Sequence, residues 1–340
     1  MTAARISTQR IPALDFTKGA LVLLMVLYHW LNYFFAPQGD IYKYLRFVTP
    51  SFIFISGFLI SNVYLSKYNL SDPRLPRRLV QRGLKILAVF ICLNVIISIL
   101  VHDSYSGQIL FRNVSWRNLI AMFVTGNTVV SGGKVAAFYI LVPISYVLLL
   151  SAGLVIMCRL YKHVFHIACI LCFMAIAVLY LNGLRSGNLE LLAIGVCGLI
   201  VGYIPIGKLD TFVRHPYVLG LSYLCYLTAI TIWNVIYPLL IIGVCLSLIV
   251  IYLVGAANVE PSRARIHVML LGKYSLFAYI AQIAILQILY RSLRHSNLSI
   301  GVLGVSFILA FALTMISVEV VDRLRAKSVA VDGAYKTVFA

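Results

Sequence analysis

Three ionisable residues share one apolar stretch, LDFTKGALVLLMVLYHWLNY, which runs from Leu14 to Tyr33. On a helix turning about 100° per residue, Lys18 and His29 differ by only about 20° from three full turns. Asp15 lies about 40° from the same line, so all three fall on one face. Lys18 and His29 stand ~16 Å apart along the axis. Neutral imidazole near pH 7 is suited to take a proton from a hydroxyl or an amine. The reaction this offers is attack of that hydroxyl or amine on a thioester carbonyl, with His29 as general base. No covalent enzyme intermediate is needed, only donors that hold the developing oxyanion. Ser56, Tyr139, Tyr274, Ser275 and Gln282 are candidate donors, and the residues alone do not choose among them. Asn32 and Tyr33, three and four positions after His29, are placed to orient the imidazole or the incoming acceptor. A plainer account uses the same residues: a histidine bonded between helices, and a helix-start carboxylate beside a snorkelling lysine.

The element that must position this stripe is a membrane helix. Its other faces carry Leu21, Val22, Leu23, Leu24, Val26 and Leu27, so the polar face must turn toward protein or a water-filled cavity. The remaining histidines (His102, His163, His166, His215, His267 and His295) fall in loops or at span ends. The whole chain is 62% hydrophobic and only 11% charged, with a mean hydropathy of +0.97, which excludes an ordinary soluble domain. The short alternating segments of a membrane barrel do not occur. The expected fold is an all-α integral membrane protein, a polytopic bundle of about ten transmembrane helices.

The apolar runs predict spans near 17–36, 46–66, 82–101, 136–158, 164–182, 188–206, 217–232, 235–255, 271–292 and 299–321. Between the seventh and eighth, only Trp233, Asn234 and the nearby Tyr237-Pro238 suggest a tight turn. With the N-terminus inside, 20 of the 28 Lys and Arg residues fall on the cytoplasmic side. That bias predicts both termini in the cytoplasm. It also accounts for the net charge of +18 without nucleic acid, which is not an expected partner. The first apolar run reads as a retained span, not a cleaved signal peptide. The expected organisation is one transmembrane domain over 1–325 and a short cytoplasmic tail over 326–340, following a polar arm at 1–13.

Two loops stand out. The basic loop 67–85, KYNLSDPRLPRRLVQRGLK, suits a stop-transfer anchor on anionic lipid headgroups. Its Arg77, Arg78 and Arg82 equally suit a grip on a phosphorylated cofactor such as a coenzyme A. The long outer loop 102–135 contains SWRNLIAMFVTGN, a short interfacial helix anchored by Trp116 that would cover an outward-facing site. Cys169 and Cys172 have CxxC spacing but lie in mid-span with no second ligand pair, so they read as small packing residues. No metal and no permanently bound cofactor is expected.

Several stretches taken together resemble a known family. RIPALDFTKGALVLLMVLYH is similar to the first helix of the transmembrane acyltransferase superfamily. That group includes the acyltransferase-3 proteins, the periplasmic-glucan succinyltransferases and the heparan glucosaminide N-acetyltransferase type. Leu14, Asp15, Gly19 and His29 match its LD-x-x-RG and histidine pattern, with Lys18 where arginine is usual. TPSFIFISGFLIS (49–61) resembles the second-helix motif around Ser56, Gly57 and Phe58. RLVQRGLKIL (78–87), FYILVPISYVLLL (138–150) and LLGKYSLFAYIAQ (270–282) are similar to later motifs, with Gln282 where many members carry histidine.

The resemblance implies transfer of an acetyl- or succinyl-type group from cytoplasmic acyl-CoA to a glycan or lipid-linked sugar, within a bacterial inner membrane. It implies His29 as the catalytic histidine and Lys18 in place of the arginine. Lys18, Asp15, Arg77, Arg78 and Arg82 would serve the donor. Lysine keeps the charge but lacks the bidentate fork of arginine. A transporter or exporter of a glycan, lipid or small anion is the alternative, since intramembrane polar groups suit it too. Consumption of acyl-CoA discriminates the two.

Overall fold

The computed structural model describes residues 11–35, 40–68, 72–100, 116–126, 129–130, 133–134, 137–161, 163–205, 216–257, 262–293 and 299–339. The arm residues Arg5 and Arg10, and His102, His215 and His295, lie outside them, as does the side chain of Trp116. The described residues are almost wholly helical, apart from a two-residue ribbon pairing Val129–Val130 with Gly133–Lys134. Among the described residues, seven helices are long and apolar enough to cross a membrane, and three shorter apolar ones fall where further spans are expected.

The chain divides into two compact units, Met1–Phe52 with Gly207–Ala340, and Ile53–Ile206. In the first unit, α1 (Pro12–Phe34) begins with proline at its first position, where a missing N–H costs nothing. A 3-10 turn, Asp40–Tyr44, leads into α2 (Val48–Leu59), within which the boundary between the units falls. Beyond α2 the helix continues through a π-helical stretch, Ile60–Tyr64, and a last α-turn, Leu65–Lys67.

The second unit contains α3 (Arg74–Leu100), α4 (Trp116–Thr125), α5 (Leu141–Met157), α6 (Val164–Leu181) and α7 (Gly187–Val201). There α3 packs on α5, and α7 contacts α4, α5 and α6. The basic stretch expected as a loop is helical from Arg74 onward. The Asp72 carboxylate accepts from the Arg74 amide at 2.9 Å, and Pro76 still lies in the first turn, where proline is tolerated. Asn94 of α3 is buried and clamps Ala137 through both ends of its amide, at 2.9 and 3.0 Å. The SGF motif serves packing here. A Cβ on Gly57 would meet the Gly195 carbonyl oxygen at 2.0 Å, and one on Gly198 would meet that of Phe54 at 2.1 Å.

The first unit resumes with α8 (Pro216–Trp233) and α9 (Tyr237–Ala257), which pack together. Their tight turn rests on Asn234 at φ 62°, a left-handed conformation that asparagine tolerates. Next come α10 (Arg263–Lys273), α11 (Ser275–Leu293), α12 (Ile300–Lys327) and α13 (Val329–Phe339). Ser262 and Ser299 cap α10 and α12 by accepting from Arg265 and Val302. The stretch expected as a tail is helical and packs on α12.

Candidate active site

Assembly of the site begins where α1 crosses α10. A Cβ on Gly19 would lie 1.8 Å from the Val268 carbonyl oxygen, and one on Gly272 would lie 1.7 Å from that of Asp15. Only glycine lets two backbones approach so closely. The glycines of LD-x-x-KG and of the later LG motif therefore meet each other, and their contact fixes the rotation of α1.

With that rotation the polar stripe of α1 faces α10 and α11. Val22 packs on Leu271, Tyr274 and Ala278, while Val26 packs on Leu286 of α11 and Ala310 of α12. The His29 ring lies 6.5 Å from that of Tyr279, centroid to centroid, and 5.3 Å edge-on from Tyr28. Tyr33 is hydrogen-bonded to the Gln287 side chain, and its ring sits 5.6 Å from Tyr290. Later residues of α1 thus meet later residues of α11, so the two helices run parallel. Helix α12 runs the opposite way: Asp322 binds Lys273 and Tyr274 at one end, and Ser306 accepts from the Trp30 indole at the other.

Lys18 and Asp15 form an ion pair at 2.6 Å, each side chain 18% exposed. That end of the stripe is thus partly shielded, and His29, toward its other end, is half-buried. Asn32 and Ser275 are half-buried as well. Gln282 is fully buried, and neither its Oε1 nor its Nε2 has a hydrogen-bond partner among the described residues.

The other expected donors are engaged elsewhere or belong to the second unit. The Tyr274 hydroxyl donates to Asp322 at 2.6 Å, between the cations of Lys273 and Arg325. In the second unit, the Tyr139 hydroxyl donates to Asn188, whose amide in turn holds the carbonyls of Met122 and Phe123 at the end of α4. Ser56 is half-buried in that unit. Arg78 and Arg82 donate to the hydroxyls of Tyr68 and Tyr64, and their guanidinium groups lie over those rings at 5.0 and 5.9 Å. Arg77 is exposed beside them. Cys169 lies 3.9 Å, sulfur to sulfur, from Cys197 of α7.

Sequence reasoning passed over Tyr279, although it falls within LLGKYSLFAYIAQ, the late stretch that resembles the family. It also passed over the partners of Tyr33, since Gln287 and Tyr290 lie in generic apolar sequence.

A histidine half-buried in a membrane helix, with a charged pair on the same face and a second polar helix against it, defines a membrane protein with an internal reaction or binding site. The family follows from the sequence: a family model described as an acyltransferase domain matches residues 11–319, so this chain belongs to the acyltransferase-3 family. It is an acyltransferase of the kind that transfers groups other than aminoacyl. No curated protein and no solved structure matches the chain.

Proposed function

We propose that the protein moves an acetyl- or succinyl-type group from acyl-CoA to a hydroxyl or amine of a glycan or lipid-linked sugar, with His29 as general base. The observation that carries this reading is the direction of the α1 stripe. Asp15, Lys18 and His29 sit on the face that packs on α10 and α11, with the imidazole beside Tyr279 and not toward lipid. The rings of Tyr28 and Tyr279 beside it help to keep the imidazole out of hydrocarbon.

The charge bias supports a cytoplasmic Asp15 and Lys18 end, where an acyl-CoA made inside the cell would arrive. Lys18 spends one of its three donors on Asp15 and can offer the others to an anionic donor. Arg77, Arg78 and Arg82 form a second basic patch, on the opening turns of α3. Their exposure suits either coenzyme A phosphates or the headgroups of membrane lipids. A bacterial inner membrane is the setting that suits this donor and acceptor.

The test uses membranes containing the full chain, incubated with labelled acetyl-CoA or succinyl-CoA and a glycan acceptor. Wild type transfers label and releases free thiol. His29→Ala loses about 10²- to 10⁴-fold in rate, the usual span for a removed general base, without loss of folded protein. Full activity in His29→Ala would exclude it as the base.

A further inference from the structure

Gln282 lies on the surface of α11 that faces α1. Tyr279, three residues before it, meets His29, and Leu286, four residues after it, packs against Val26. Residues three and four apart on a helix are neighbours, so Gln282 shares the α11 face that carries these two contacts. It is 0% exposed, yet both polar atoms of its amide lack a partner among the described residues. A bare buried polar group costs stability, and an apolar side chain of the same shape would avoid that cost. The amide is also neutral at every pH, offers two N–H donors, and faces the same helix surface as the general base.

We propose that Gln282 is the oxyanion-binding residue, its Nε2 donating to the carbonyl oxygen of the acyl thioester. This assignment rests on the acyl-CoA and His29 reading above. The acceptor oxygen or nitrogen attacks the thioester carbon and forms the new C–O or C–N bond, while its proton passes to the imidazole. The carbonyl π electrons move to the oxygen, which accepts from Gln282 as it becomes an oxyanion. Collapse restores the carbonyl, breaks the C–S bond and releases the thiolate of coenzyme A. That thiolate recovers the proton from the imidazolium. A donor aimed at this oxygen acts mainly in the transition state, so its loss reduces kcat more than it raises KM.

The experiment compares Gln282→Met and Gln282→His with wild type in membranes, by acyl-CoA titration and by thermal unfolding in detergent. Methionine has nearly the same length and no donor. The expected result is an unchanged or raised Tm, a fall of about 10²- to 10³-fold in kcat and a KM for acyl-CoA within about threefold of wild type. Gln282→His retains an N–H and keeps at least tenfold more activity than Gln282→Met, on the order of a donor's value. Full kcat in Gln282→Met overturns the proposal and leaves the amide to bridging water. A lowered Tm with equal losses in both variants also overturns it, in favour of packing. A raised KM with unchanged kcat overturns it in favour of ground-state binding. These outcomes all require an active wild type, whereas a wild type that consumes no acyl-CoA overturns the parent reading itself.

Discussion

Lys18 occupies the position where its family usually places arginine, and its Nζ already holds the Asp15 carboxylate at 2.6 Å. The pair is partly shielded, and on the acyl-CoA reading proposed above the lysine meets an incoming anion as a point charge and not as a fork. Lys18→Arg should therefore keep or raise activity, because a guanidinium can bind Asp15 and still present two parallel N–H groups to a phosphate. Lys18→Met removes a charge-assisted contact and should raise the KM for acyl-CoA by about tenfold or more. Initial rates across acyl-CoA concentration check both. The stripe itself was legible because helical angles are local: three residue numbers are enough to place Asp15, Lys18 and His29 on one face. The ring that His29 meets was not, since Tyr279 lies 250 residues away and no local periodicity encodes that pairing. For the same reason the sequence could not choose among the donors. What commits Tyr274 and Tyr139 is Asp322 and Asn188, on other helices.

Helices were the most legible level, because apolar length and loop charge are local too. Their close approaches were less so, since a glycine in an apolar run reads equally as packing, kink or accident. The α1–α10 crossing shows what the LD-x-x-KG glycine does. At Gly272 the obstacle to a side chain is the backbone oxygen of Asp15, 1.7 Å from a Cβ, and it cannot rotate away as a side chain would. Gly272→Val must push α1 and α10 apart, and overpacking of this kind costs about 1–3 kcal/mol or more. Moving α1 also moves the stripe, so activity should fall together with the Tm in detergent. Gly153→Ala in α5 is the control, because no atom lies within 4 Å of its Cβ. There the higher helix propensity of alanine should leave the Tm unchanged or raise it slightly. An equal loss in both variants would mean that the crossing has no special role.

At the scale of the first unit, parallel α1 and α11 and antiparallel α12 bring Asp15, Lys273 and Asp322 to one end. Helix α13 fastens to this end. Arg325 donates through Nε and Nη2 to Asp332 Oδ1 at 2.9 and 2.6 Å, and Lys336 reaches Oδ2 at 2.5 Å. Tyr335 packs edge-on against Tyr274 at 5.3 Å, and Phe339 against Phe277 at 5.9 Å. The tail composition hid this docking, because a short segment with two lysines after the last span reads equally as a solvated end. Hydrogen bonds from Lys336 and Arg325 hold the Asp332 carboxyl below its usual pKa. A depressed carboxylate pKa stabilises the docked state fully above the ordinary aspartate value, ~3.9, and that contribution fades as pH falls through the lowered folded value. Docking through Asp332 should therefore be constant from neutral to mildly acid pH and be lost only in strong acid. Asp332→Asn at pH 7 should raise hydrogen exchange over residues 329–339 by about two- to fivefold, the range of an exposed ion pair. After correction for intrinsic exchange rates, wild type should approach the variant only below pH ~3.9. If the two differ as much in strong acid as at neutrality, the carboxylate does not fasten the helix, and the aromatic contacts of Tyr335 and Phe339 hold it alone.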